Sequence, residues 1–210
     1  MTITKYGHAC LIVSSETSKI IIDPGEFTDL PDILSDVAAV IVTHIHGDHL
    51  SLSNLQKIRD SNPNFTLYGV QEVIEACNEV PVTKHVVQSD QVIQMGDMEV
   101  SVYFDDHAII YQASPCKNLA IKIDDQLYYP GDSLRVIPDH VRVVAVPISA
   151  PWLKSSEYIE FAQAMNADIA FPTHNGLLND IGHSIMNNWL QKGLEGTAAT
   201  YKLVKPGEQV

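Results

Sequence analysis

Short apolar and β-branched segments separated by turn residues dominate the first half of the chain. Three of them, Thr2–Tyr6, Cys10–Ser14 and Lys19–Ile22, predict short strands. Residues 38–43 are almost continuously apolar, which is typical of a strand buried on both faces of a sheet. The same reasoning predicts further strands at residues 65–70, within 82–104, and at 119–124, 126–129, 141–148, 169–172 and 200–204.

Helical spacing appears between these strands. Within residues 51–60 the apolar side chains of Leu52, Leu55 and Ile58 recur at helical intervals, and Ser-Asn-Pro-Asn then ends the pattern. Three more helices are predicted at residues 71–78, 155–165 and 184–192, with Ser155 as an expected N-cap. The mixture predicts an α/β protein in which two sheets pack together between outer helices.

The composition suits one folded unit with a sizeable core. The chain has 210 residues, of which 45% are hydrophobic, so we expect a single domain over residues 1–210. Its apolar runs have strand length and its amino terminus alternates like a strand, which argues against a membrane span and a signal peptide. Three cysteines without a CxxC pair predict reduced thiols and a cytoplasmic location, with Cys10 and Cys77 in the core.

Net charge narrows the range of partners. Lys and Arg number 13 against 26 Asp and Glu, which gives a formal net charge of −13, and the sequence contains no basic run. Because phosphate contacts need clustered cations, we do not expect the chain to bind nucleic acid or an anionic membrane. A small molecule is the expected partner.

The strongest chemical signal follows the strand predicted at residues 38–43. The next positions read His-Ile-His-Gly-Asp-His. Because side chains alternate along an extended chain, His44 and His46 project to the same side and can bind one metal ion. A tight turn at the glycine then directs Asp48 and His49 to a nearby but different point. This spacing favours two adjacent metal ions over one.

Three more candidates lie just past the ends of predicted strands. His107 follows an Asp-Asp pair, Asp132 lies in a Gly-Asp-Ser turn, and His174 follows Pro-Thr. A rigid sheet can fix a ligand at such positions. A dinuclear site needs more than four ligands, so we expect these three residues to complete the set.

In combination, these motifs resemble the metallo-β-lactamase superfamily of metal-dependent hydrolases. The resemblance runs from Gly-His-Ala at residues 7–9, through Ile-Asp-Pro at 22–24, to Pro-Thr-His at 172–174. The short length and the opening Gly-His-Ala are similar to the branch that includes ascorbate-6-phosphate lactonases and N-acylphosphatidylethanolamine phospholipase D-like hydrolases. The resemblance implies a four-layer αββα sandwich with two mixed sheets, outer helices and a site along one edge of the sheets.

The resemblance also implies how the ligands are divided. The first metal would be held by His44, His46 and His107, the second by Asp48, His49 and His174, and Asp132 would bridge the two. Two divalent ions about 3.5–4 Å apart lower the pKa of a shared water, so a metal-bridging hydroxide is the expected nucleophile. Asp132, as the bridge, and Asp48, as a candidate proton donor, are the expected catalytic residues. Zinc is the expected metal, with manganese, iron and nickel left open.

A small lactone or phosphoester is the expected substrate, and two other functions stay open. An RNA-processing nuclease of the same fold is disfavoured by the acidic charge and by the lack of a basic appended domain. A di-iron redox or metal-binding module is disfavoured because the full hydrolase ligand set is present. A homo-oligomer also stays open, since small hydrolases of this size often dimerise.

Several other polar residues have two interpretations. Asp23 either orients a ligand histidine or is an ordinary turn carboxylate. His8 either faces the pocket or lies next to the ligands, and Trp152 is either core cover or a pocket wall. His183 is expected to cap the last helix in preference to contacting a substrate. Surface or loop positions are expected for His85 and His140.

Overall fold

Six strands form the first sheet in the computed structural model, which describes residues 1–32, 34–112 and 114–210. In spatial order they are β1 (Thr2–Tyr6), β2 (Cys10–Ser14), β3 (Lys19–Ile22), β4 (Val37–Val42), β5 (Thr66–Gly69) and β6 (Thr83–Val86). The first three pair antiparallel, and β3 to β6 pair parallel. Parallel neighbours send their carboxyl ends to one edge of the sheet.

Seven strands form the second sheet. Its members are β7 (Gln91–Met95), β8 (Met98–Asp106), β9 (Lys117–Ile123), β10 (Leu127–Tyr129), β11 (Val143–Pro147), β12 (Ile169–Thr173) and β13 (Thr200–Tyr201), adjacent in that order. The strands from β7 to β10 pair antiparallel, and those from β10 to β13 pair parallel. Both sheets are therefore mixed, as expected.

Helices cover the outer faces. On the first sheet lie α1 (Leu52–Ser61) and α2 (Gln71–Ala76), and on the second lie α3 (Ser155–Ala164) and α4 (Asp180–Gly193). One core joins the facing sheets and the buried side of α1, while a second lies between the second sheet and the pair α3 and α4. Each core residue removed from water contributes about 1.5–3 kcal/mol. The predicted αββα sandwich is confirmed.

The helix boundaries differ from the predicted ones where side chains cap the ends. Ser155 is not the N-cap of α3 but its first helical residue, because the Glu157 carboxylate accepts the Lys154 backbone N–H at 2.9 Å. The last helix begins four positions before the predicted residue 184, because Asn179 caps it by accepting the Gly182 N–H at 2.9 Å. The final strand is shorter than the predicted 200–204.

The two sheets meet at the edge where the candidate ligands lie. Strands β4, β8, β10 and β12 all end there, just before His44, His107, Asp132 and His174. A backbone hydrogen bond from Leu119 N–H to the Thr43 carbonyl, 3.0 Å long, joins the sheets at this edge. Within the described part of the chain, no helix combines the length and hydropathy that a bilayer crossing requires.

Candidate metal centre

Four separate chain segments bring the seven predicted ligands together at this edge. They are His44, His46, Asp48, His49, His107, Asp132 and His174. Five of the seven are almost completely buried, and only the other two, His46 and Asp48, are partly exposed. The site is therefore a mostly enclosed cluster that solvent reaches from the side of the residue 46–48 turn.

Asp132 lies between the histidines at the centre of the cluster. Its Oδ1 is 3.2 Å from His49 Nε2, and its Oδ2 is 3.3 Å from His107 Nε2 and 3.1 Å from His174 Nε2. The two carboxylate oxygens thus face imidazoles from three different segments. The Trp152 indole donates its Nε1–H to Oδ2 at 2.9 Å, so Trp152 forms part of the site wall.

Three sets of side chains place their donor atoms close enough to share an ion. Within each set the atoms lie within 4.8 Å of one another, and the sets are His44, His46 and His107; His44, His49 and Asp132; and His8, Asp48 and His174. The first set matches the one implied for the first metal. For the second metal, Asp48 and His174 are neighbours at 3.3 Å, whereas His49 Nε2 is 3.8 Å from Asp48 and closer to Asp132.

Unpartnered buried atoms show that these residues fit a metal centre. The Nε2 atoms of His49, His107 and His174, together with Asp132 Oδ1, are buried and have no hydrogen-bond partner among the residues that the structure describes. Buried polar atoms without partners are costly and rare in folded proteins. Imidazole nitrogens and carboxylate oxygens that converge on the same space are the ligand types that zinc and similar divalent cations bind.

Asp23 orients two of the histidines. Its carboxylate accepts the Thr43 backbone N–H and hydroxyl, each at 2.7 Å, the Tyr129 hydroxyl at 2.8 Å, and the proton on His49 Nδ1 at 2.6 Å. Because the Thr43 hydroxyl gives its proton to Asp23, its oxygen is free to accept from His44 Nδ1 at 3.0 Å. Asp23 is thus the orienting partner and not a simple turn carboxylate.

The electrostatics of the cluster favour bound positive charge. Burial alone would raise the pKa of Asp132, but His49 and His174 hold it well below its usual range. Burial would likewise lower the pKa of His174, yet the neighbouring Asp132 and Asp48 raise it to about 9. Burial lowers the pKa of His44 well below its usual range. The two carboxylates therefore stabilise a cation in the space between the histidines.

Backbone geometry fixes two site residues in the left-handed region. Asp23 has φ of 47° and His174 has φ of 53°, a conformation that residues other than glycine seldom adopt. Gly131 has φ of 59°, and a Cβ there would approach the Asn118 side-chain oxygen within 2.3 Å. The turn that carries Asp132 therefore requires glycine at this position.

Sequence reasoning missed Asn118 and Tyr129. The buried amide of Asn118 accepts the Asp132 N–H and donates to the Pro130 carbonyl, both at 3.0 Å, so it holds the turn that presents Asp132. The Tyr129 hydroxyl reaches Asp23 from the other sheet. No local motif marks either residue, because each acts through a partner that is distant in sequence.

The remaining candidates occupy distinct places. His8 is fully buried beside Asp48, with its Nε2 3.4 Å from Asp48 Oδ2. His183 does not cap α4, since Asn179 does so; it lines a cavity of about 660 Å³ next to Asn175 and Gly176. His85 is exposed on β6, and His140 is an exposed loop residue beside Asp168. The core positions predicted for Cys10 and Cys77 are confirmed.

Solved structures share this fold. Igni18, a metallo hydrolase from Ignicoccus hospitalis, superposes with a TM-score of 0.73 at 16% identity, covering 100% of this chain and 97% of that one. CmlA, a diiron β-hydroxylase from Streptomyces venezuelae, superposes with a TM-score of 0.73 at 13% identity, covering 100% of this chain and 53% of that one. At such identities the likeness establishes the metallo-β-lactamase fold alone.

Sequence comparison establishes the family. A family model described as a beta-lactamase superfamily domain matches residues 2–174, so the chain belongs to that superfamily. It is 25% identical over 231 residues to a UPF0173 metal-dependent hydrolase from Carboxydothermus hydrogenoformans, covering 100% of this chain and 99% of that protein. The chain is a metal-dependent hydrolase of the metallo-β-lactamase fold.

Proposed function

We propose that the protein uses two divalent metal ions, held by the seven-residue cluster, to hydrolyse a small ester-type substrate. The position of Asp132 carries this proposal. Its carboxylate contacts His107, a proposed ligand of one ion, and also His49 and His174, proposed ligands of the other, as a carboxylate shared by two cations would. His44, His46 and His107 would hold one ion, and Asp48, His49 and His174 the other. Zinc is our first choice, since the ligands are nitrogen and oxygen.

The chain's own residues orient the metal ligands and the attacking water. Two divalent cations, when bound, would lower the pKa of a water molecule and polarise the ester oxygen. Asp132 and Asp23 fix the spacing and direction of the imidazoles. Asp48 is 22% exposed and is the carboxylate that substrate can reach. Burial alone would raise its pKa, but the neighbouring His174 and His8 hold it below the usual range, so Asp48 is anionic and can accept a hydrogen bond from the attacking water.

The surroundings of the cluster favour an ester with an apolar part. A small cavity of about 50 Å³ beside His46 and His107 is lined by Ile109 and Ile110, which are 65% and 49% exposed. The nearby cation Arg135 lies 2.7 Å from Asp105, so an aspartate already neutralises it. A lactone or a phosphodiester, each with little charge, suits such a site better than a phosphomonoester does.

Metal content and a substrate panel test this function. We expect close to two transition-metal ions per chain after loading with Zn²⁺ or Mn²⁺, and turnover on at least one lactone, thioester or phosphodiester. His107→Ala and His174→Ala should each lose metal and activity, whereas His140→Ala, on an exposed loop, should retain both. One ion or fewer per chain under metal-replete conditions would contradict the second site. Cleavage of RNA alone would favour the nuclease alternative.

A further inference from the structure

The hydrogen-bond partner of each Nδ1 atom fixes where the proton sits on four of the cluster histidines. His49 Nδ1 faces the Asp23 carboxylate, His107 Nδ1 the Ala108 carbonyl, and His174 Nδ1 the Ser149 carbonyl. These oxygens can only accept, so each Nδ1 carries a proton, and in the neutral imidazole that binds a metal each Nε2 presents a lone pair. His44 follows the same rule through Thr43, whose own proton is given to Asp23. All four are therefore in the tautomer that binds a metal through Nε2.

His8 has the opposite arrangement. The Gly176 backbone N–H points at His8 Nδ1 over 2.9 Å. A backbone N–H can only donate, so Nδ1 must accept, and the proton of the neutral imidazole then lies on Nε2. The ring is held in this position by its own backbone, because the His174 N–H donates to the His8 carbonyl at 2.8 Å. The buried Nε2 faces Asp48 Oδ2 at 3.4 Å and has no other partner in the described part of the chain.

One ring nitrogen of His8 lies within 4.8 Å of the ligand atoms of Asp48 and His174, so proximity alone would make His8 a metal ligand. The tautomer contradicts that assignment, because a protonated Nε2 has no lone pair to give to a cation. A carboxylate oxygen has two lone pairs and can accept from a donor while it binds an ion. At 3.4 Å the contact is longer than a typical N–H···O bond, and such bonds often shorten when the site is filled.

We propose that His8 is a positioning residue, which donates its Nε2–H to Asp48 Oδ2 and orients that carboxylate toward the second metal, and that it is not itself a ligand. The inference rests on the proposed dinuclear centre. It limits the protein ligands of the second ion to Asp48, His49, His174 and the shared Asp132. A coordination position that His8 would otherwise fill is then left for water or substrate.

The tautomer can be measured directly. Long-range ¹H–¹⁵N correlation spectra of the ¹⁵N-histidine-labelled, zinc-loaded protein distinguish protonated from unprotonated ring nitrogens, and the signals that disappear in His8→Gln belong to His8. We expect the His8 proton on Nε2 and the protons of His44, His49, His107 and His174 on Nδ1. A His8 ring with its proton on Nδ1 and a zinc-shifted Nε2 would overturn the proposal. The His8 proton can also be located in the metal-free protein. Failure of the dinuclear proposal would appear in the metal content instead, so the two failures can be distinguished.

Two substitutions separate a donor from a ligand. His8→Gln can place an amide N–H near the original Nε2, whereas His8→Asn keeps an acceptor for the Gly176 N–H but removes the donor to Asp48. We expect His8→Asn to weaken binding of the second Zn²⁺ by about 10- to 100-fold, the range for partners that orient a ligand, and His8→Gln to bind it within a few fold of wild type. Equal loss of the second ion in both variants, with the circular dichroism of both unchanged, would identify His8 as a ligand.

Discussion

His49 and Asp23 form a buried pair, in which Nδ1 of the imidazole lies 2.6 Å from Oδ2 of the carboxylate and neither side chain is exposed. The same carboxylate accepts from Thr43 on the first sheet and from Tyr129 on the second. The pair therefore connects the metal centre to the contact between the two sheets. A change at Asp23 should affect metal binding and folding stability together, because one group serves both.

Asp23→Asn tests this connection. The amide keeps the size of the carboxylate but replaces one acceptor oxygen with an N–H group, which would face donors from Thr43 or His49. We expect metal affinity to fall about 10- to 100-fold and the free energy of unfolding to fall by about 2–4 kcal/mol. Zinc titration against a chromophoric chelator and urea denaturation measure the two effects.

Asp36→Asn is the matched control for Asp23→Asn. Asp36 also has a positive φ, of 62°, but it is exposed and far from the cluster in the fold. The Asp36→Asn substitution should leave zinc affinity unchanged and alter the free energy of unfolding by less than about 0.5 kcal/mol. Equal effects of the two substitutions would show that Asp23 serves only its own turn.

Asp132→Asn tests catalysis against simple metal binding. Loss of the negative charge and of one strong oxygen donor should loosen the pair of ions, lower the metal content and reduce kcat by at least about 10²-fold. The Asn118 hydrogen bond to the backbone of the turn does not involve the substituted group, so the fold should persist. Elemental analysis and turnover of the best panel substrate are the measurements, with the exposed Asp125→Asn as the control. Full metal content with near-normal turnover would remove Asp132 from the centre.

Trp152 should report metal binding through its fluorescence. Its Nε1–H donates to Asp132, and its ring centroid is 6.1 Å from that of His107. The second tryptophan, Trp189, is 49% exposed on α4. In Trp189→Phe we expect metal removal by a chelator to change the emission intensity, and metal addition to restore it. In Trp152→Phe the remaining emission should not respond. A response in both variants would indicate a change of the whole fold.

Lys5 should give the protein a pH-dependent stability in the alkaline range. Its side chain is 2% exposed, and burial lowers its pKa from 10.5 to about 8. Between these values the unfolded chain holds a proton that the folded chain has released, so the free energy of unfolding rises with pH. The contribution is unfavourable by about 3 kcal/mol below about pH 8, at 1.36 kcal/mol per pKa unit, and disappears as the pH approaches 10.5.

Urea denaturation of wild type and Lys5→Met between pH 7.5 and 10 measures this contribution, because other titrating groups are common to both proteins. The stability of wild type relative to Lys5→Met should increase across the range. Lys205→Met, which removes an exposed lysine, should show no such trend. A constant difference between wild type and Lys5→Met would mean that the buried amine has an ordinary pKa.

The sequence alone predicted the layered fold and the candidate ligands. Alternation and apolar runs are local properties, so β1, β2 and β3 were predicted with their observed bounds. The His-x-His-x-Asp-His spacing is also local, because a strand end followed by a glycine turn directs four side chains to one region whatever lies around them. His107, Asp132 and His174 could be proposed because each follows a predictable strand.

Tertiary structure decided everything that depends on partners distant in sequence. Asp23 orients His49, 26 positions away, and also accepts from Tyr129, 106 positions away. Whether His8 donates or binds a metal depends on the Gly176 N–H, 168 positions away. The first residue of α3 was predicted correctly, but its N-cap was mispredicted at Ser155, because the Glu157 carboxylate accepts the Lys154 N–H. A periodic pattern shows which face of an element is buried. Whether a polar side chain donates or accepts a hydrogen bond is set by the atom that it contacts, and only the packed sheets bring those atoms together.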